Sequence, residues 1–225
     1  LNKINNFRPG ITTTINLAAQ AGVRLPENQN YKYDHSNING FCSFLEFCKR
    51  NEIQNILYAS SSSVYSGISK TPYSEGFVLK KPLSKYAETK IMNEKLAKKF
   101  AEKHKKNIIG LRFFTVYGPW GRPDMAYFDF MKRILEKREV TLFNNGELAR
   151  DMTYIDDIVD GIKGSIRLIN EDSLKGKNEI FNLGNDKPIK TAYLLKNLES
   201  LLGKKANVIH KESMNEAIYT HADIS

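Results

Sequence analysis

Residues 55–65 read Asn55-Ile56-Leu57-Tyr58-Ala59-Ser60-Ser61-Ser62-Ser63-Val64-Tyr65, and residues 82–90 read Pro82-Leu83-Ser84-Lys85-Tyr86-Ala87-Glu88-Thr89-Lys90. The first stretch opens as an apolar run of strand length, Asn55 to Ser60, and ends in a row of hydroxyls. In parallel sheets, ligands bind at the carboxyl ends of the strands, so serines placed there are poised to bond a substrate oxygen. In the second stretch Ser84 reads as the N-cap of a helix running to about Lys105. Tyr86 and Lys90 then stand at i and i+4 on one helix face. A nearby ammonium favours the phenolate and lowers the tyrosine pKa from about 10 toward neutrality. That turns a phenol into a useful general base. Taken singly, each stretch also has a plain reading, as a turn-forming loop and as two solvated helix residues. Together they are far more specific.

Working outward, Thr13 to Ala19 reads as a buried strand. Asn37 to Arg50 reads as a helix, with Ile38, Phe41, Phe44, Leu45 and Cys48 near helical spacing. A polar loop covers Ser66 to Lys81, and Ile108 to Phe114 is a third strand. The alternation of strand and helix predicts a parallel sheet with helices on its faces. Farther on, Asp124 is expected to cap a helix to about Arg138. Short strands at Val140–Phe143, Glu179–Leu183 and Ala206–His210 alternate with helices at Asp156–Asn170 and Thr191–Leu202. A boundary falls near residue 117.

The bulk properties narrow the classes. Of 225 residues, 41% are apolar and 26% charged, which excludes wholesale disorder, collagen and coiled coil. No apolar run approaches the ~20 residues of a membrane span, so no membrane partner is expected. Leu1 to Gly10 does not read as a secretory signal. Leu1 is not an initiator Met, so the chain is expected to start mid-gene or after processing. Cys42 and Cys48 read as small core residues of a cytoplasmic protein. Four histidines without ligand spacing read as surface residues, and no metal is expected. A net charge of +9 suits an anionic partner. That partner could be nucleic acid, a membrane surface or a phosphorylated small molecule, and the plain reading is a lysine-rich solvated surface; no nucleic-acid motif accompanies the charge, so no nucleic acid is expected.

The strand-end serines followed by Tyr65, with Pro82-x-Ser84-x-Tyr86-x-x-x-Lys90, resemble the extended short-chain dehydrogenase/reductase family and its nucleotide-sugar epimerases. Further resemblances are Asn16-Leu17-Ala18-Ala19-Gln20-Ala21-Gly22-Val23-Arg24, Asn37-Ile38-Asn39-Gly40, Pro72-Tyr73-Ser74-Glu75, Arg150 to Asp157, and His221-Ala222-Asp223-Ile224-Ser225. The stretch Leu111 to Ala126, containing Tyr117-Gly118-Pro119-Trp120-Gly121-Arg122, is most similar to the UDP-glucuronate 4-epimerase subgroup.

The resemblance implies an α/β fold: a partial Rossmann-type doubly wound parallel sheet over 1–117, then a smaller substrate-binding α/β portion over 118–225. It implies NAD as cofactor, beside Leu17, Ala18, Ala19, Asn37, Ala59, Ser60, Tyr86, Lys90 and Phe113. It makes Ser61, Tyr86 and Lys90 catalytic. A UDP-sugar acid, epimerised at C4, would meet Arg24, Ser62, Ser63, Thr115, Arg122, Phe143, Arg150 and Asp223. Arg122 offers a planar fork for a carboxylate and Arg150 one for a diphosphate, though each has an adjacent or near-adjacent aspartate, Asp124 and Asp151, as a simpler partner. Phe143 reads equally as core, and Asp156 as a helix cap.

Dehydratases of the family carry an Asp-Glu pair where this chain has Ser62-Ser63, so dehydration is not expected. The rivals are a 4-epimerase of neutral UDP-hexoses, a UDP-glucuronate decarboxylase and, from another class, a non-catalytic UDP-sugar-binding remnant. The family's Gly-x-x-Gly-x-x-Gly turn does not occur in these residues. By resemblance, strand–helix units precede Leu1, a segment follows Ser225, and this chain alone is expected to be inactive. A homodimer is expected through helices 37–50 and 84–105. Met92, Leu96 and Phe100 step by four, so this face can bury against the chain's own sheet or against a partner, which periodicity does not decide.

Overall fold

The computed structural model describes residues 10–23, 25–171, 174–212 and 217–225. The elements are β1 (Thr13–Asn16), α1 (Tyr31–Tyr33), α2 (Gly40–Arg50), β2 (Asn55–Ser61), α3 (Lys85–His104), β3 (Asn107–Phe113), β4 (Thr115–Tyr117), α4 (Ala126–Leu135), β5 (Glu139–Phe143), β6 (Ala149–Tyr154), α5 (Ile155–Asn170), β7 (Asn178–Leu183), β8 (Pro188–Lys190), α6 (Thr191–Leu202) and β9 (Asn207–Lys211). A π-helical segment, Asp34–Asn39, joins α1 to α2, so the predicted helix starts earlier than Asn37. It follows β1 by way of a loop, and β1 is shorter than the predicted Thr13–Ala19 strand.

Two compact units emerge. One comprises Leu1–Ile68, Glu75–Phe113 and Val159–Asn182, and the other Ser69–Ser74, Phe114–Ile158 and Leu183–Ser225. They are interleaved along the chain, unlike the single cut at 117 drawn from sequence.

In the first unit the strands lie in the order β1-β2-β3-β7. β1, β2 and β3 are mutually parallel, and Ser61 stands opposite Phe113 in the register. β2 and β3 are buried along almost their whole length, as strands covered on both faces must be. The apolar positions of α2, Phe41, Phe44, Leu45 and Cys48, pack with Ile53, Ile56, Tyr58, Ala97, Phe100 and Ile108. Helix α3 begins where Ser84 Oγ accepts the Ala87 amide at 3.2 Å, the cap expected from sequence. It ends at Lys105, in the left-handed region with φ of 54°.

Within the chain the 92/96/100 stripe is covered only in part. Met92 is 44% exposed while Phe100 lies in the core, and the buried side is carried instead by Ala87, Lys90, Glu94, Ala97 and Ala101. Four residues advance 400°, so such a stripe drifts around the helix. Cys48 is buried, with its thiol pushed up to about 12 by desolvation, but Cys42 is exposed and not a core residue.

Gly110 in β3 leaves room for its neighbours. A Cβ there would come within 2.5 Å of Tyr58 Oη and 2.6 Å of Ile180 Cδ1. Gly110→Ala is expected to cost about 1–3 kcal/mol by overpacking, seen as a lower urea midpoint at an unchanged m-value.

In the second unit β4, β6 and β8 form a sheet, with β4 parallel and β8 antiparallel to β6. β5 and β9 form a parallel pair. Phe130 and Ile134 of α4, Val140 and Leu142 of β5, and Leu195 of α6 make a separate core. α4 starts at Ala126 with Met125 as its N-cap, not Asp124. The Asp124 carboxylate is engaged by Arg122 instead.

Candidate active site

Ser61 is the last residue of β2 and caps the 3-10 turn Ser62–Tyr65. Its Oγ accepts the Ser63 amide at 3.2 Å and the Ser63 hydroxyl at 2.8 Å, which leaves the Ser61 hydroxyl hydrogen to donate. Lys90, 2% exposed, is held from the neighbouring helix. Its Nζ donates to the Ala59 carbonyl at 2.8 Å and stands 5.8 Å from the centre of the Tyr86 ring. Tyr86 also meets the Tyr33 ring at 6.0 Å. One peptide group of β2 thus anchors the ammonium two residues before Ser61. Burial pulls the Lys90 pKa down to about 8, opposed by the Glu94 carboxylate. The ammonium is therefore charged near neutrality and begins to lose its proton above that value.

Beneath this face runs a polar network absent from the sequence reading. Glu94 Oε1 accepts Ser60 Oγ at 2.6 Å and Arg112 Nε at 2.9 Å, and its Oε2 accepts Arg112 Nη2 at 2.7 Å. Arg112 Nη1 donates to Tyr65 Oη at 2.6 Å, and Tyr65 Oη donates to Asn182 Oδ1 at 2.8 Å. The Arg112 guanidinium lies 4.7 Å from the Tyr65 ring centre. Two signals pointed to it. Tyr86, Lys90 and Glu94 step by four on α3, and Arg112 is a charge inside an apolar strand, where charges occur only when paired.

The expected cofactor residues divide. Leu17 and Ala18 are exposed just after β1, and Ala19 is half-buried. Phe113 lies opposite Ser61. The side chains of Asn37 and Ser60 are engaged within the protein. Asn37 accepts the Gln20 amide at 2.8 Å and donates to the Gln20 carbonyl and to Thr89 Oγ1. It ties the segment after β1 to α3. Ser60 alternates with Ser61 along the strand, so it turns away from Ser61 and toward Glu94.

In the second unit Arg150 follows Ala149 on β6, and Tyr73, His221, Ala222 and Asp223 are stitched together. The Tyr73 amide donates to the His221 carbonyl at 2.7 Å and the Asp223 amide to the Tyr73 carbonyl at 3.0 Å. Burial pushes the Tyr73 phenol pKa up, opposed in part by the Arg150 guanidinium. Ser225, through its hydroxyl and amide, holds the Asp223 carboxyl below its ordinary value. Asp151 takes no part with Arg150, since its carboxylate is used elsewhere. His221 is paired, not free, with Nε2 at 2.6 Å from Asp186 Oδ1. Thr115 lies on β4 and Phe143 ends β5, both half-buried. Arg122 is exposed and doubly bonded to Asp124, the simpler of its two readings. Arg24 lies outside the described residues. Among the described residues no group of His, Cys, Asp or Glu is arranged to hold a metal ion, and no helix is long and apolar enough to cross a membrane.

The signature of the NAD dependent epimerase/dehydratase family matches residues 2–184. The chain belongs to that family. Similar proteins include an uncharacterised protein of Methanocaldococcus jannaschii, 45% identical over 96% of this chain and 64% of that protein. UDP-glucuronate 4-epimerase 3 of Arabidopsis thaliana is 43% identical over 95% of this chain and 53% of that protein. Among solved structures, UDP-glucuronic acid 4-epimerase from Bacillus cereus in complex with UDP-glucuronic acid and NAD matches at a TM-score of 0.85. It is 34% identical, over 95% of this chain and 67% of that one. The chain thus spans between about half and two thirds of these relatives. The likeness also confirms the Rossmann-like α/β class of this family member.

The chain's residues fit one end of the family's dinucleotide. Lys90 keeps further N–H donors beyond Ala59, beside the Tyr86 phenol, and exposed backbone follows β1. No Gly-x-x-Gly-x-x-Gly turn occurs among the residues, so none is assigned to the pyrophosphate.

Proposed function

We propose that the protein interconverts UDP-glucuronate and UDP-galacturonate by epimerisation at C4, with NAD as a bound prosthetic group. The observation that carries this is the buried Lys90 ammonium, pinned to the strand that ends in Ser61 and set against the Tyr86 ring. The similarity to UDP-glucuronate 4-epimerases supports the choice of sugar.

Tyr86, as phenolate, takes the proton of the sugar 4-hydroxyl. Ser61 donates its free hydroxyl hydrogen to the same oxygen, and Ser62 and Ser63 flank it. Lys90 stabilises the phenolate and offers its remaining hydrogens to the nicotinamide ribose. NAD, held beside Tyr86 and Lys90, would supply reversible hydride acceptance at C4. Leu17, Ala18, Ala19, Ala59 and Phe113 flank the cofactor, and Thr115, Phe143, Arg150 and Asp223 hold the nucleotide. α2 and α3 supply the surface of a homodimer.

The test is product identity when the complete gene product receives UDP-glucuronate. UDP-galacturonate is expected; a UDP-pentose with carbon dioxide would make it a decarboxylase. Calorimetry separates the remaining rival: binding of UDP with no response to NAD would leave a sugar-binding remnant.

The Arg122–Asp124 pair favours one second reading, in which Arg122 is already satisfied and the sugar is a neutral UDP-hexose. Arg122→Met decides it. If Arg122 receives the sugar carboxylate, KM for UDP-glucuronate rises about 10–100-fold, the worth of a charge-assisted pair, while KM for UDP-glucose stays unchanged. Equal effects on both substrates would favour the neutral hexose.

A further inference from the structure

Glu94 is an unusual choice for the side of α3 that packs on the sheet. It is 8% exposed, and its partner Arg112 is 3% exposed. Stability alone gives little reason for such a pair, because the desolvation of two charges roughly cancels their attraction and apolar residues of similar volume do as well. What distinguishes Glu94 is its neighbour. It stands four residues after Lys90, one turn along the same face. Its carboxylate cannot swing away, since Ser60 and both Arg112 bonds fix it from β2 and β3. Ser60 in turn is the residue before Ser61, and Lys90 is bonded to the residue before that, Ala59.

We infer that Glu94 is a positioning residue of the reaction: clamped by Arg112 and Ser60, it holds the buried Lys90 ammonium charged and registers α3 against the serine end of β2. This rests on the reading of Tyr86 and Lys90 as an acid–base couple. Burial disfavours the charged form of Lys90, and Glu94 is the group that opposes it. The other ionisable groups on the elements against α3 do not substitute for it. Tyr58 and Tyr65 are both pushed up by burial, Tyr65 to about 12, and stay neutral near pH 7. Arg112 stays cationic. Glu75 bonds the Asn182 amide at 2.7 Å, beyond Tyr65. Tyr33 donates its hydroxyl to the Gly22 carbonyl, and Asp34 pairs with Lys85 at the exposed start of the helix. Tyr86 is the group served.

The experiment uses the complete protein, labelled with carbon-13 at lysine Cε, with the Lys90 resonance identified by its loss in Lys90→Met. Glu94→Gln alone leaves Arg112 buried without its partner and is prone to unfold. The informative variant is therefore Glu94→Gln with Arg112→Met, which removes both charges. With folding verified by circular dichroism, Lys90 is expected to titrate about one pH unit lower than in the parent. The alkaline limb of the kcat profile is expected to move down by the same amount. A Lys90 titration that stays within about 0.3 unit overturns the inference, as does failure of the paired variant to fold. A shifted titration in a protein with no epimerase activity upholds the Glu94–Lys90 coupling and removes the functional reading instead.

Discussion

Tyr86→Phe is expected to lower kcat by about 10³-fold, within the range for loss of a positioned general base. The substitution removes one oxygen and leaves the ring contacts with Tyr33 and the Lys90 ammonium in place. Binding of UDP-sugar and of NAD is therefore expected to change little, so the loss falls on kcat and not on KM. Single-turnover rates in both directions would read it. A variant retaining a tenth of the parent rate would mean that another group takes the proton, and the assignment of Tyr86 would fall. The parent rate should also fall as pH rises through about 8, where Lys90 loses its charge. Folding stability runs the other way. Lys90 binds a proton more weakly in the folded chain than in the unfolded one, so between about 8 and its ordinary 10.5 the unfolded state holds more protons and stability rises with pH.

The second large effect is structural. Asp151 is fully buried, and its carboxylate collects three backbone amides: Asn185 at 2.8 Å, Asp186 at 3.1 Å and Ala222 at 2.9 Å. Its own amide donates to Thr220 Oγ1 at 3.1 Å. One side chain thus fastens the turn after β7 and the segment leading to Asp223 onto β6, next to Arg150. Asp151→Ala leaves those three backbone donors without their buried acceptor. The expected loss is about 3–5 kcal/mol, since each buried group left unmade costs about 1–3 kcal/mol. Thermal unfolding should fall by about 10 °C. Asp151→Asn, which keeps one acceptor oxygen, should lose roughly half as much. If Asp151→Ala melts with the parent, the clip is not what holds this segment.

Much of the first unit was legible because local signals and tertiary packing agree there. Ser84 caps α3 as its sequence implies, Tyr86 and Lys90 share a face, and the apolar runs of β2 and β3 are the central strands. α6 matches the predicted Thr191–Leu202 helix in full. What escaped was set by partners distant in sequence. β4 and β8 are three residues each and exist only through pairing with β6. Asp124 carries good capping chemistry, but Arg122 competes for it. Nor did local sequence show that the side chains of Asn37 and Ser60 bond Gln20, Thr89 and Glu94. The Glu94–Arg112 pair joins residues from two elements, and neither segment alone shows that its charge is matched.

The interleaving of the two units bears on how the chain is made. β7 borders β3 in the sheet but is synthesised only after β4, α4, β5, β6 and α5. As the polypeptide leaves the ribosome, β3 must wait with unfilled backbone groups along one side, a ready template for another chain. Vulnerability to misassembly should therefore concentrate in that interval, and a slowing of translation between Phe113 and Asn178 would lengthen the nascent chain's dependence on chaperones.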